Sequence, residues 1–131
     1  TIAASGDNAN TLHYIKNSKK LNHKDLILID AGCEFKYYAS DITRVFPLSG
    51  KFSKPQKEIY NLVLKTQKKI ISMIKAGVLR SQLQDKAIYL LTKGMVELKI
   101  LKGNVKKLIK QQQYKRYYPH GIGHFIGLDV H

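Results

Sequence analysis

The chain has almost no cysteine: Cys33 stands alone among 131 residues. That excludes an intrachain disulfide and favours a reducing compartment. No apolar run approaches the ~20 residues of a membrane-spanning helix, so no membrane partner is expected. Acidic residues are scarce too, 9 against 23 Lys and Arg, for a net charge of +14. Such a balance invites a nucleic-acid reading, but arginine is nearly missing as well. Twenty of the basic residues are Lys, whereas phosphate recognition favours the planar fork of Arg. The lysines are also scattered over what read as solvent faces of helices, with no sustained basic run. No nucleic-acid partner is therefore expected. The opening TIAASGDNAN lacks a charged region and an initiator Met, so it is no signal peptide and reads as the interior of something longer. Repeats and low-complexity segments are absent. The length is that of one domain, enough to bury a core.

What is there falls into two halves. TLHYIKN (11–17) is a strand candidate rich in β-formers. KDLILIDAGCEF (24–35) contains the apolar run LILI, which suits a strand buried on both faces. YYASDITRVFPL (37–48) follows as a third strand, stopped by Pro47. Ser53 and Gln56 then look like a capping box. Ile59, Leu62, Val63, Thr66, Ile70 and Ile74 mark one helical face, ended by Gly77. Ser81 and Gln84 repeat the start signal for a second helix, with Leu83, Ala87, Leu90 and Leu91 on its apolar face, Gly94 a weak point and Gly103 a stop. Asn104 is placed to cap a short third helix through Val105, Leu108 and Ile109. Pro119 and two glycines forbid a helix in YKRYYPHGIGH. The fold class is α+β, an antiparallel sheet with two long helices.

Two groups of residues carry chemistry. Asp30 ends the LILI run, where a carboxylate needs compensation for lost water. If the flanking strands pair about the 35/36 bond, opposed residue numbers sum to 71 and Asp30 faces Asp41, with Cβ atoms ~5 Å apart. Facing carboxylates repel unless a cation is shared, and hard divalent metals take such oxygens readily. The competing reading is ordinary, since DAG is also a common strand exit. The second group is HGIGHFIGLDVH (120–131), which holds three of the five histidines. Imidazole is a frequent metal ligand and proton carrier. His120 and His124 are four apart, as in helical zinc motifs, but the glycines argue for extended chain. By itself His13 reads as structural, and His23 as a solvated loop residue.

Together LHY (12–14), LILIDAGCEFKYYASDITRVFPLSGKF (26–52), QKEIYNLVL (56–64) and HGIGHFIGLDVH resemble the aminopeptidase P, or Xaa-Pro aminopeptidase, family of pita-bread metallopeptidases. The resemblance covers nearly the whole chain and implies a partial pita-bread fold. It further implies a centre of two divalent metal ions, usually Mn²⁺, with Asp30, Asp41 and His124 among the ligands. Two further glutamate ligands, one of them the general base, would come from segments after His131. The family's N-terminal domain would precede residue 1, so residues 1–131 are expected to be a fragment of a catalytic domain and inactive alone. His13 and His131 are implied beside the substrate, assisting catalysis, and His120 in the pocket for a penultimate proline. The implied partner is a peptide with proline at its second position; oligomeric state stays open. Prolidase and methionine aminopeptidase share the ligand set. A non-catalytic pita-bread domain binding histones or nucleic acid is a further alternative, although the three ligand positions are all intact.

Overall fold

The computed structural model describes residues 1–130. The chain divides into two compact units, one formed by Thr1–Ser53 with the stretch from His124 onward, the other by Lys54–Gly123.

The first unit is built on a three-stranded antiparallel sheet in which β2 (Leu26–Ala31) lies between β1 (Ile2–Ser5) and β5 (Ile42–Pro47). The expected strand at 11–17 does not form. His13 and Asn17 have φ of 55° and 48°, in the left-handed region and incompatible with extended chain. The strand forms instead at Ile2–Ser5, and Ala4 and Ser5 are each only 1% exposed. Asn17 serves its edge: the Ala3 N–H donates to Asn17 Oδ1 at 2.8 Å, and Asn17 Nδ2 donates to the Thr1 carbonyl at 3.1 Å. A side-chain amide so stands in for a neighbouring strand.

β2 and β5 pair from Leu26↔Pro47 to Ala31↔Ile42, with Asp30 opposite Thr43. The same register continues into a small hairpin, β3 (Glu34–Phe35) with β4 (Tyr38–Ala39), where Phe35 faces Tyr38. Opposed numbers therefore sum to 73 rather than 71. The turn is centred on Lys36 and Tyr37, both left-handed at φ 51° and 66°. That is the geometry of the tight hairpin turn that matches strand twist. It is usually written Asn-Gly, and two ordinary side chains here conceal it. The expected continuous 24–35 strand is interrupted at Gly32–Cys33, opposite Ser40–Asp41. β2 is also half-buried along its whole length instead of fully buried.

The second unit is helical. α1 (Lys54–Ile71) starts directly after Ser53 but ends short of Ile74 and Gly77. Of its expected apolar face, Thr66 and Ile70 are buried while Ile59 and Val63 remain half exposed. α2 (Arg80–Glu97) starts earlier than the Ser81/Gln84 pair suggests. The reciprocal bond of its start comes from Gln82, whose Oε1 accepts the Leu79 N–H at 3.0 Å; that frees Gln84 for another task. Gly94 is buried where α2 meets α1, and a Cβ there would lie 2.1 Å from Leu62 Cδ1. The weak point of the helix is therefore its closest approach to its neighbour. Past Leu98, Lys99 turns left-handed (φ 61°), its N–H reaching the Val96 carbonyl and that of Ile100 the Met95 carbonyl. This double closure stops the helix, before the expected Gly103. Asn104 caps α3 (Val105–Lys110) as its position suggested, accepting the Lys107 N–H on Oδ1 at 3.2 Å. After a 3-10 turn at Gln113–Arg116, no regular structure follows up to Gly123. Of the net +14, this unit carries nearly all: sixteen Lys and Arg against three Asp and Glu.

Candidate metal centre

Asp30 and Asp41 both belong to the sheet unit, where the 73 register decides their relation. Asp30 lies opposite Thr43, whose hydroxyl donates to Asp30 Oδ1 at 2.8 Å. Asp41, two residues before Thr43, falls diagonal to Asp30 and not across from it.

Gly32 makes the local path possible. A Cβ built on it would lie 1.8 Å from the Ser40 carbonyl oxygen and 3.4 Å from the Asp41 Cα. The two segments are tied at this point. The Ser40 N–H donates to the Cys33 carbonyl at 2.8 Å, and the Cys33 N–H donates to Ser40 Oγ at 3.1 Å. The glycine of DAG thus sets where Asp41 emerges.

His124 comes to Asp41 from the far end of the sequence. Its Nε2 stands 3.3 Å from Asp41 Oδ2, the two side chains 35% and 23% exposed. The chain holding it is pinned nearby, where the Ala39 N–H donates to the Gly127 carbonyl at 2.8 Å. His124 Nδ1 lies 2.8 Å from the Phe125 carbonyl. A carbonyl only accepts, so Nδ1 carries the proton, and in a neutral ring Nε2 bears the lone pair. A cation taken by both Nε2 and Asp41 Oδ2 would suit this approach. Anchoring of one ring nitrogen on a backbone carbonyl is also how ligating histidines are commonly oriented. With two carboxylates and an imidazole, the donor set fits a hard or borderline divalent cation. Among the described residues, no group of three His, Cys, Asp or Glu side chains is close enough together to hold a metal ion. The structure brings Asp41 and His124 together and leaves Asp30 bonded to Thr43.

The other histidines are placed differently. His13 is exposed in the turn that replaces the expected strand, and His23 is exposed in a loop. His120 belongs to the helical unit, exposed, with Nδ1 2.9 Å from the Gly121 carbonyl. Its ring stands edge-on to Tyr118, the centroids 5.8 Å apart. It borders a cavity of about 430 Å³ lined also by Arg80, Gln84, Ile88, Tyr114 and Tyr118, a size that suits a small ligand. Burial holds the Tyr118 phenol above its ordinary range, outweighing the hydrogen bond from Gln84, with Tyr114 adding in the same direction. His131 lies outside the described residues. Sequence reasoning overlooked Thr43 and Arg80 and gave Gln84 only a helix-start role. Thr43 sits in the quoted DIT motif, so its neighbourhood was visible; nothing local marks Arg80 or the hold of Gln84 on the loop.

Comparison with known proteins adds a second line. The profile of Metallopeptidase family M24 matches residues 1–131. Over 131 residues the chain is 56% identical to an Xaa-Pro aminopeptidase of Haemophilus influenzae, covering 100% of this chain and 30% of that protein. It is 43% identical to Xaa-Pro aminopeptidase of Escherichia coli, again over 100% of this chain and 30% of the relative. Among solved structures, zinc-substituted E. coli aminopeptidase P in complex with product superposes with a TM-score of 0.96 at 42% identity, over 99% of this chain and 30% of that one. Pseudomonas aeruginosa aminopeptidase PepP gives 0.96 at 45%, over 99% and 29%. The chain thus spans about 30% of the length of these relatives.

Proposed function

The chain belongs to metallopeptidase family M24 and has part of its pita-bread fold, and from that premise we propose that it carries part of the catalytic domain of an Xaa-Pro aminopeptidase. Asp30, Asp41 and His124 supply three ligands to a pair of divalent cations, with manganese favoured by the carboxylate-rich donor set. The observation that carries this reading is the approach of His124 Nε2 to Asp41 Oδ2, with Nδ1 fixed on the Phe125 carbonyl.

When bound, divalent cations supply Lewis-acid polarisation of the scissile carbonyl and lower the pKa of the attacking water. The protein's own share is orientation. Thr43 holds Asp30 by its Oδ1, and Phe125 fixes the ring of His124 so that Nε2 faces the site. His120 and His13 contact the peptide, His120 beside the proline at the second position. His131, beyond the described residues, acts with His13 near the reacting carbonyl. Two further ligands, one of them also the general base, come from outside residues 1–131, so the chain by itself is inactive. Among the described residues no helix is long and apolar enough to cross a membrane. From the family resemblance we assign the longer protein to the cytoplasm or the mitochondrion.

The test joins binding and turnover. Titration calorimetry with Mn²⁺ is expected to give weak binding that Asp41→Asn and His124→Phe each abolish. A longer chain that includes the missing ligands is expected to cleave Ala-Pro-Ala faster than Ala-Pro, which separates this reading from prolidase. Binding indifferent to both substitutions overturns the ligand assignment. Robust turnover by residues 1–131 with added Mn²⁺ overturns the claim that they are incomplete.

A further inference from the structure

One face of α2 holds the histidine-bearing loop by hydrogen bonds that no motif announces. Gln84 Oε1 accepts the Ile122 N–H at 2.9 Å, and Gln84 Nε2 lies 3.3 Å from the Tyr118 hydroxyl, to which it donates. One turn earlier, Arg80 Nη2 donates to the Gly123 carbonyl at 2.8 Å. Residues four apart share a helix face, so a single rigid face grips Tyr118–Gly123 at three points. The loop needs it, because past the 3-10 turn it has no regular structure of its own.

His120 sits inside the gripped segment. Its ring is fixed on one side by the Gly121 carbonyl bonded to Nδ1 and on the other by the edge of Tyr118. Gln84 holds Tyr118 directly and reaches Gly121 through its neighbour Ile122. Orientation of this imidazole, with Nε2 left as the atom that can meet a ligand, therefore passes through one glutamine. We propose that Gln84, seconded by Arg80, is a positioning residue that fixes His120 for the peptide substrate. This rests on the reading that His120 contacts that peptide.

Two substitutions separate positioning from mere support. Gln84→Met keeps the length and removes both hydrogen bonds. Gln84→Glu keeps them, because one carboxylate oxygen accepts the Ile122 N–H and the other accepts the Tyr118 O–H, the hydroxyl reversing its role. In the 131-residue chain, Gln84→Met is expected to speed hydrogen exchange at the Ile122 amide by about tenfold and to erase the NMR cross-peak between the Tyr118 and His120 rings. Gln84→Glu is expected to retain both. In a longer chain that cleaves Ala-Pro-Ala, Gln84→Met is expected to raise KM about tenfold with little change in kcat, and Gln84→Glu to restore it. Should Gln84→Met lose its helical circular dichroism, Tyr118→Phe takes its place, since it removes only the hydroxyl. Unchanged exchange and an intact cross-peak overturn the clamp, as does a defect that Gln84→Glu fails to restore. Absence of cleavage by the unaltered longer chain overturns the functional reading and the substrate role with it, while the NMR comparison still decides the clamp separately.

Discussion

Replacing Gly32 by alanine puts a methyl where a backbone already is. The added Cβ would stand 1.8 Å from the Ser40 carbonyl oxygen and 2.8 Å from its carbon, whereas carbon–oxygen contacts settle at ~3.3 Å or more. The neighbour is main chain and has no alternative rotamer, so the segments must separate by ~1.5 Å at this point. That stretches the Ser40 N–H bond to the Cys33 carbonyl and the Cys33 N–H bond to Ser40 Oγ. Each is worth about 1 kcal/mol, and forced packing adds ~1–3 kcal/mol. A loss of roughly 3–5 kcal/mol results, large against the ~5–15 kcal/mol of a typical domain. Asp41 follows Ser40 directly, so divalent-cation affinity should fall in any molecules that remain folded. Urea denaturation followed by circular dichroism reads the stability, and Mn²⁺ titration at low urea reads the site. Ser40→Ala is the control, since it removes only the exposed contacts of the Ser40 hydroxyl with Cys33, without a clash, and should cost about 1 kcal/mol. If Gly32→Ala unfolds within 0.5 kcal/mol of the parent, the account of how DAG directs Asp41 is wrong.

Three other outcomes follow from particular contacts. Lys99→Gly should stabilise the chain by about 1 kcal/mol, because a left-handed residue at the end of α2 is held against its own preference; an unchanged denaturation midpoint speaks against that strain. Thr43→Val should weaken Mn²⁺ binding about tenfold by removing the donor that orients Asp30, with Thr43→Ser close to the parent; equal affinities in calorimetry dismiss the role. Burial raises the Tyr118 pKa in the folded state, so its contribution is complete below pH 10 and declines as pH rises through the folded value. Tyr118→Phe should therefore lose less stability than the parent in alkaline denaturation above pH 10, and parallel pH curves would contradict this.

Local chemistry was the most legible part of this protein. Asn104 caps α3 because an Asn before an apolar turn satisfies orphan N–H groups wherever it occurs. α1 starts directly after Ser53, where the Ser53/Gln56 pair placed it. The strand at 11–17 failed on the same logic, since β-rich composition says nothing about two residues driven left-handed by their surroundings. His13 went with it, from a strand face to an exposed turn.

The sequence by itself determined the DAG–DIT and HGIGH spacings that resemble those of M24 metallopeptidases, because residue chemistry and short spacings survive without coordinates. Tertiary structure decided the rest. The register moved from 71 to 73 because Lys36 and Tyr37 form a left-handed turn that their side chains do not advertise. His124 met Asp41, and Gln84 took hold of the Tyr118–Gly123 loop, across long stretches of chain. Contacts between distant segments are selected by the packing of the whole chain, and periodicity along the chain carries no record of them.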